Sequence, residues 1–338
     1  MDNPETPVAK TTSTKRKVFL ATTREASEVV EVFFTSERAP DLGLASVVVS
    51  IPPNHVPGQI ERPKRLPPDP TTEFAVVEPT VYKSENSFIS EINRELAKKP
   101  PKDRNLMLFV HGYNNTASDS ILRIAQFVED TGFNGVPVLF SWASAAKVSH
   151  YVYDLNSALA ARPLLLEASG ILQRTNAQGF DVFAHSMGGM LMLEAIVHAE
   201  LSGKYNIGGR LGNVMLASPD IDLDVFESQL ASLDPKERNF TIFVANDDKA
   251  LKFSRWISGG VPRVGAAHTE ALAELGVTVI DLSQVDDSSS GTHSKFAGSP
   301  EVVQVIGNSL KADNYQSGKS QLVLLEILGS SAVLTVLQ

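Results

Sequence analysis

Apolar and polar positions along this chain follow two rhythms. From Val18 to about Val81, short apolar runs rich in β-branched residues alternate with polar text: VFLATTR, EVFFTSE, ASVVVSIP and FAVVEP. Runs of this length between turn residues predict strands. The proline-rich block ERPKRLPPDP at 61–70 reads as a connector. Past it the rhythm changes. FISEINRELAKK and SDSILRIAQFVEDTG repeat apolar residues every three to four positions, the second with Gly132 just past its end, and both predict helices. NLMLFVHG, VPVLFSW, FDVFAHS, NVMLASPD, NFTIFVAN and VTVIDLS are unbroken apolar runs of strand length, the last of them the final strand. Helical text lies between them: DLNSALAARPLLLEASGILQRT with Pro163 inside, GGMLMLEAIVHAEL, DLDVFESQLASL and DKALKFSRWI, with SPEVVQVIGNSL closing the series.

Buried strands alternating with amphipathic helices predict an α/β fold, its sheet mostly parallel and covered on both faces. One domain over 17–310 accounts for the pattern, with 17–85 as a β-rich N-terminal part. Residues 1–16 are expected to be a disordered polar tail without the apolar core of a signal peptide. Segment 311–338 is an apolar tail. Glu326 and the Gly329-Ser330-Ser331 break make it a poor membrane span, so a packed helix or strand is expected and membrane contact is not.

Composition narrows the chemistry. A net charge of -9, with no long run of Lys or Arg, argues against a nucleic-acid partner. With 0 cysteines there is no disulfide, thiolate metal site or cysteine nucleophile, and cytoplasm and periplasm are equally compatible. The carboxylates of SPDIDLDVF lack the glycine and terminal acid of a calcium loop, so neither a metal nor any other cofactor is expected.

In open parallel sheets, ligands sit at the carboxyl ends of the strands. The loops there read HGYNN, SWAS, HSMGG, SPDID, NDDK and GTHS. They supply a serine, several aspartates and a histidine in the chain order Ser, Asp, His used by α/β-hydrolases. Ser186 follows a strand and precedes a helix, with small residues Ala184 and Gly188 two positions to either side, as a tight nucleophile elbow requires. An aspartate nucleophile is disfavoured because the elbow position itself is serine. The Met187 amide opens a helix and suits an oxyanion; the Tyr113 amide of the HGYNN loop is the second candidate donor. His293 follows the last strand, where a general base must enter. For the acid, Asp248 is favoured, with Asp247 (equally a helix cap) and Asp220 as alternatives. His111, Gly112, Trp142 and Tyr153 are candidate pocket residues.

The motifs FVHGYNN, LFSWAS, YVYDLNSA, AHSMGG, ASPDIDLDVF, NDDKALKFSR and ATTR together resemble a bacterial α/β-hydrolase family catalogued as a domain of unknown function, number nine hundred. The resemblance spans about 17–310. It implies a serine hydrolase of esterase or lipase type with Ser186 as nucleophile, Asp248 as acid and His293 as base. The chain departs from the family pattern at Ala143, where proline is frequent, and at Gly189, where asparagine is.

Only residues 219–238 separate two successive strands at the point where many hydrolases insert a lid, so no large cap domain is expected. Residues 143–165 would form a small rim. An open site favours a small-molecule ester of short or medium acyl length, cleaved through an acyl-enzyme. The same residues would serve an amidase, peptidase or acyltransferase, and a non-catalytic binding protein on this fold is the remaining alternative.

Overall fold

The computed structural model describes residues 12–28, 33–285, 292–311 and 335–337. Its N-terminal part is an antiparallel meander of β1 (Thr14–Ala26), β2 (Phe34–Ile51) and β3 (Ala75–Val81). The alternating part runs α1 (Glu85–Ala97), β4 (Asn105–Val110), α2 (Ala117–Thr131), β5 (Val136–Ser141), α3 (Tyr151–Gln173), β6 (Gly179–His185) and α4 (Met187–Leu201). It continues with β7 (Leu211–Ala217), α5 (Leu223–Ala231), β8 (Phe240–Val244), α6 (Lys249–Ile257), α7 (Thr269–Ala273) and β9 (Thr278–Asp281). Two helices, α8 (Lys295–Gly298) and α9 (Pro300–Lys311), and strand β10 (Thr335–Leu337) complete it.

All strands join one sheet in the order β10-β9-β8-β7-β6-β4-β5-β1-β2-β3. From β1 to β9 the neighbours are parallel, and β10 and the β2–β3 hairpin are antiparallel edges. Period-2 alternation splits the core. In β4, Leu106, Leu108 and Val110 face a layer made by α1, α3, α4, α5 and α7, while Met107 and Phe109 face α2, α8 and α9.

Three features depart from the sequence reading. β1 begins at Thr14, within the expected tail, because its polar end is paired: Arg16 reaches Glu129 at 2.7 Å and Lys17 binds Glu91 on α1. Hydropathy alone does not mark such a strand end. EVFFTSE and ASVVVSIP form one strand, β2. The register jumps from Thr22↔Gly43 to Arg24↔Arg38, so the segment holding Pro40 bulges out of the ladder, where its missing N–H costs nothing. VTVIDLS is not the last strand: Thr335–Leu337 of the apolar C-terminal segment pairs with β9. Residues 1–11 and 312–334 of the two tails lie outside the described residues. α3 runs through Pro163 without interruption. Among the described residues, no helix is long and apolar enough to cross a membrane.

Candidate active site

β6 ends in the middle of the sheet, flanked by β4 and β7, and the chain turns at once into α4. At that turn Ser186 has φ 54 and ψ -124, a region that side chains other than glycine rarely adopt and that persists only when its surroundings enforce it. They do so here. The Ser186 N–H donates to Ala217 O at 2.9 Å, and the Gly189 N–H donates to Ser186 O at 2.9 Å. A Cβ on Gly188 would stand 2.3 Å from His111 O and 2.7 Å from Val110 O, so only glycine lets α4 start this close to the end of β4. Ala184 is completely buried and fits the same tight turn.

The 111–115 loop leans over this serine. A Cβ on Gly112 would lie 2.9 Å from Ser186 Cβ. Asn115 fixes the loop's peptide planes, its side-chain amide donating to Gly112 O at 3.1 Å and Tyr113 O at 2.8 Å. A trans peptide points its N–H opposite to its C=O, so the Tyr113 N–H faces away from Asn115. Buried Arg24 ties the loop to β1 and β5, donating to Asn115 O at 2.8 Å, Ser144 O at 3.1 Å and Ser141 Oγ at 3.0 Å. Burial lowers its pKa to about 10, offset by Asp154, so it stays charged at neutral pH. Asp154 is completely buried and accepts from the Asn114 and Ala145 amides and from Ser144 Oγ. These struts explain why ATTR and YVYDLNSA accompany the HGYNN loop, although neither motif carries reacting atoms.

Of the three candidate acids, Asp248 meets His293: its Oδ2 accepts from His293 Nδ1 at 2.7 Å, leaving Nε2 as the ring's other nitrogen. Asp248 is fully buried, and its second oxygen accepts from the Leu251 N–H at 3.0 Å, so Asp248 rather than Asp247 caps α6. Asp247 instead binds Lys295 Nζ at 2.9 and 2.8 Å. Asp220 accepts from Ser254 Oγ at 2.6 Å and Tyr151 OH at 2.9 Å and lies 3.4 Å from Arg263 Nε, a separate cluster.

His293 is brought to the elbow by His185, which sits next to Ser186 and is not among the candidate residues read from the sequence. His185 Nε2 donates to His293 O at 3.0 Å, and the two rings stand 4.7 Å apart. Burial, reinforced by the neighbouring His293, holds the His185 pKa well below its ordinary value, so its ring is neutral. The tautomer follows from the bond: Nε2 carries the proton.

Among the pocket candidates, Gly112 borders Ser186. His111 and Trp142 are buried under the loop, stacked 5.0 Å apart, with Trp142 Nε1 donating to His111 O at 2.8 Å. Burial and Arg24 push the His111 pKa down to about 3. Tyr153 packs on the N-terminal meander beneath the Arg38 guanidinium, 4.4 Å from its ring centre. Among the described residues no group of side chains has the makeup of a metal site. A cleft of about 530 Å³ between α3 and α4, lined by Phe180 and Leu211, opens at the amino ends of β6 and β7, away from Ser186.

A family model described as an alpha/beta hydrolase of unknown function (DUF900) matches residues 84–309. The chain belongs to this family. The family match contains the elbow, the 111–115 loop, Asp248 and His293, whereas β1 to β3, with the ATTR stretch, precede it. A comparison with curated proteins finds no match.

Proposed function

We propose that this α/β hydrolase cleaves carboxylic esters of short or medium acyl length through Ser186. The reading is carried by one observation above the others: the 2.7 Å bond from His293 Nδ1 to a fully buried Asp248 carboxylate, held against the residue next to a strained Ser186. A histidine oriented in this way through Nδ1 offers Nε2 as general base.

In the proposed cycle, Ser186 Oγ attacks the ester carbonyl carbon as His293 Nε2 takes its proton. The tetrahedral oxyanion is received by the amides of Met187, at the start of α4, and Tyr113. His293 then protonates the leaving alcohol. Water, activated by the same imidazole, releases the acid from the acyl-enzyme. Asp248 holds the tautomer and stabilises the imidazolium without itself taking the proton.

A fluorophosphonate probe and a p-nitrophenyl ester panel graded by acyl length test the proposal. Wild type labels once and hydrolyses short and medium esters fastest. Ser186→Ala loses labelling and lowers kcat by about 10⁴-fold or more. Undiminished labelling of Ser186→Ala would overturn the assignment, and a rate maximum at long chains would overturn the acyl-length part.

A further inference from the structure

Helix α6 has the sequence Lys-Ala-Leu-Lys-Phe-Ser-Arg-Trp-Ile, and of these residues only Leu251 and Ser254 are buried. Its outward side is unusually apolar: Phe253 is 41%, Trp256 77% and Ile257 38% exposed, and the two aromatic rings lie 6.2 Å apart. Spacings of three and four place these residues on one stripe. Lys249, Lys252 and Arg255, three apart, form an adjoining cationic stripe, so a helix with three positive charges and no acid stands on a chain of net charge -9.

The start of α3 stands beside α6: on the inner side the buried Tyr151 OH and Ser254 Oγ are 2.9 Å apart and join the two elements. Beside Tyr151, Val148 and Val152 are 59% and 66% exposed. Tyr113 of the loop over Ser186 donates its hydroxyl to Val148 O at 2.5 Å, and Asp248, the His293 partner, caps α6. Both elements therefore adjoin the candidate active site. Neither carboxylate at the head of α6 opposes an anion, since Asp247 is bound to Lys295 and Asp248 is buried against His293.

We propose that α6 and the start of α3 dock this protein onto an anionic lipid surface, from which amphiphilic esters partitioned there reach Ser186. The docking stands on the exposed face alone; the delivery of esters rests on the serine-hydrolase reading above. Charge complementarity selects this occupant. A cationic stripe beside an exposed tryptophan and phenylalanine is the makeup of a helix lying in a membrane interface, its aromatic rings at headgroup depth. The expectation of no membrane contact came from segment 311–338, which says nothing about one short helix elsewhere in the chain.

Tryptophan emission tests the docking directly. The chain has 2 tryptophans. Trp142 is completely buried and gives a constant background, while Trp256 sits on the proposed face. The full chain carrying Ser186→Ala is mixed with phosphatidylcholine vesicles, with and without about one-third phosphatidylglycerol. With the anionic vesicles, emission moves to shorter wavelength and the protein floats with the lipid; with neutral vesicles both effects are weak. Trp256→Phe abolishes the spectral shift. Reversing Lys249, Lys252 and Arg255 to Glu lowers vesicle affinity by about a hundredfold or more, while hydrolysis of a soluble ester is unchanged.

Absence of both shift and flotation with anionic vesicles would overturn the proposal, as would equal binding to neutral ones. A lipid-free shift that grows with protein concentration would assign the face to a second copy. Shielding of Trp256 from a soluble quencher in the dilute monomer would assign the face to residues 312–334 of the same chain. Because the binding assay uses an inactive variant, vesicle binding survives failure of the serine reading. Ester hydrolysis in solution likewise survives failure of the docking.

Discussion

His185 shows how one side chain next to the proposed nucleophile Ser186 can position the proposed base His293 without touching substrate. Its Nε2–H holds the His293 carbonyl, and its ring also packs 4.7 Å from Phe296 in α8. His185→Leu removes the donor and keeps the apolar bulk; kcat on a soluble p-nitrophenyl ester should fall by about ten- to a hundredfold from misplacement of the imidazole, with KM nearly unchanged. His185→Gln places an amide donor near the Nε2 position and should recover part of the loss. Equal kinetics for the two variants would remove the positioning role. The proposed acid makes a sharper contrast. Asp248→Asn should lower kcat by roughly 10³- to 10⁴-fold because it disrupts the histidine tautomer. Asp247→Asn, which among the described residues alters the Lys295 ion pair, should stay near wild type in the same assay. Asp220→Asn should act on stability instead. It weakens bonds to Tyr151 and Ser254 and leaves Arg263 without its full counter-charge, at a cost of about 2–4 kcal/mol in denaturant unfolding.

At the level of elements, two glycines on neighbouring helices have opposite reasons to be there. A methyl on Gly188 would strike the His111 and Val110 carbonyls. Backbone cannot rotate aside as a side chain can, so Gly188→Ala should destabilise by about 2–4 kcal/mol or displace α4 from the elbow. In α3, a methyl on Gly170 would meet nothing within 4 Å. Gly170→Ala should therefore raise stability by about 0.5–1 kcal/mol through its helix propensity alone. Thermal unfolding of the pair, read with ester kinetics, separates close approach from mere permissiveness.

The same distinction explains what could be read in advance. Ser186, His293 and the aspartates were legible because β6, β8 and β9 are buried on both faces and read as unbroken apolar runs, which fixes where their C-terminal loops fall. Asp248 could be ranked first as the partner of His293 but not singled out from position alone, since Asp247 and Asp248 are adjacent and only the turn into α6 points one inward. Lys295, which occupies Asp247, lies 48 positions along the chain. The apolar C-terminal segment suggested a packed helix or strand, but β10 could not be placed within it because a three-residue edge strand has no period to detect.

Across the whole molecule, residues that precede the family match support the loop that carries His293. His55, in the connector after β2, sits between two carboxylates, its Nδ1 2.8 Å from Glu61 and its Nε2 2.8 Å from Asp130 at the end of α2. Asp130 also accepts from the Gly58 N–H at 2.7 Å and from Gln126 Nε2, which in turn donates to Ala297 O at 2.9 Å. Gly58 packs so closely on Gly298 that a Cβ would come within 2.4 Å of its carbonyl oxygen. Through these contacts the connector, α2 and α8 form one clamp, with α8 beginning two residues after His293. Burial opposes charge on His55, but the bonds to Asp130 and Glu61 outweigh it and raise its pKa above the ordinary value. A raised folded-state pKa means that the clamp contributes fully below the unfolded histidine value of about 6.5. The contribution fades as pH rises through the higher folded value. Wild-type Tm should thus decline on going from mildly acidic to mildly alkaline buffer. His55→Gln, which has no proton to lose, should have a lower Tm at the acidic end and a flatter slope. Parallel slopes for the two proteins would show that the clamp does not titrate and that the pH dependence arises elsewhere in the chain.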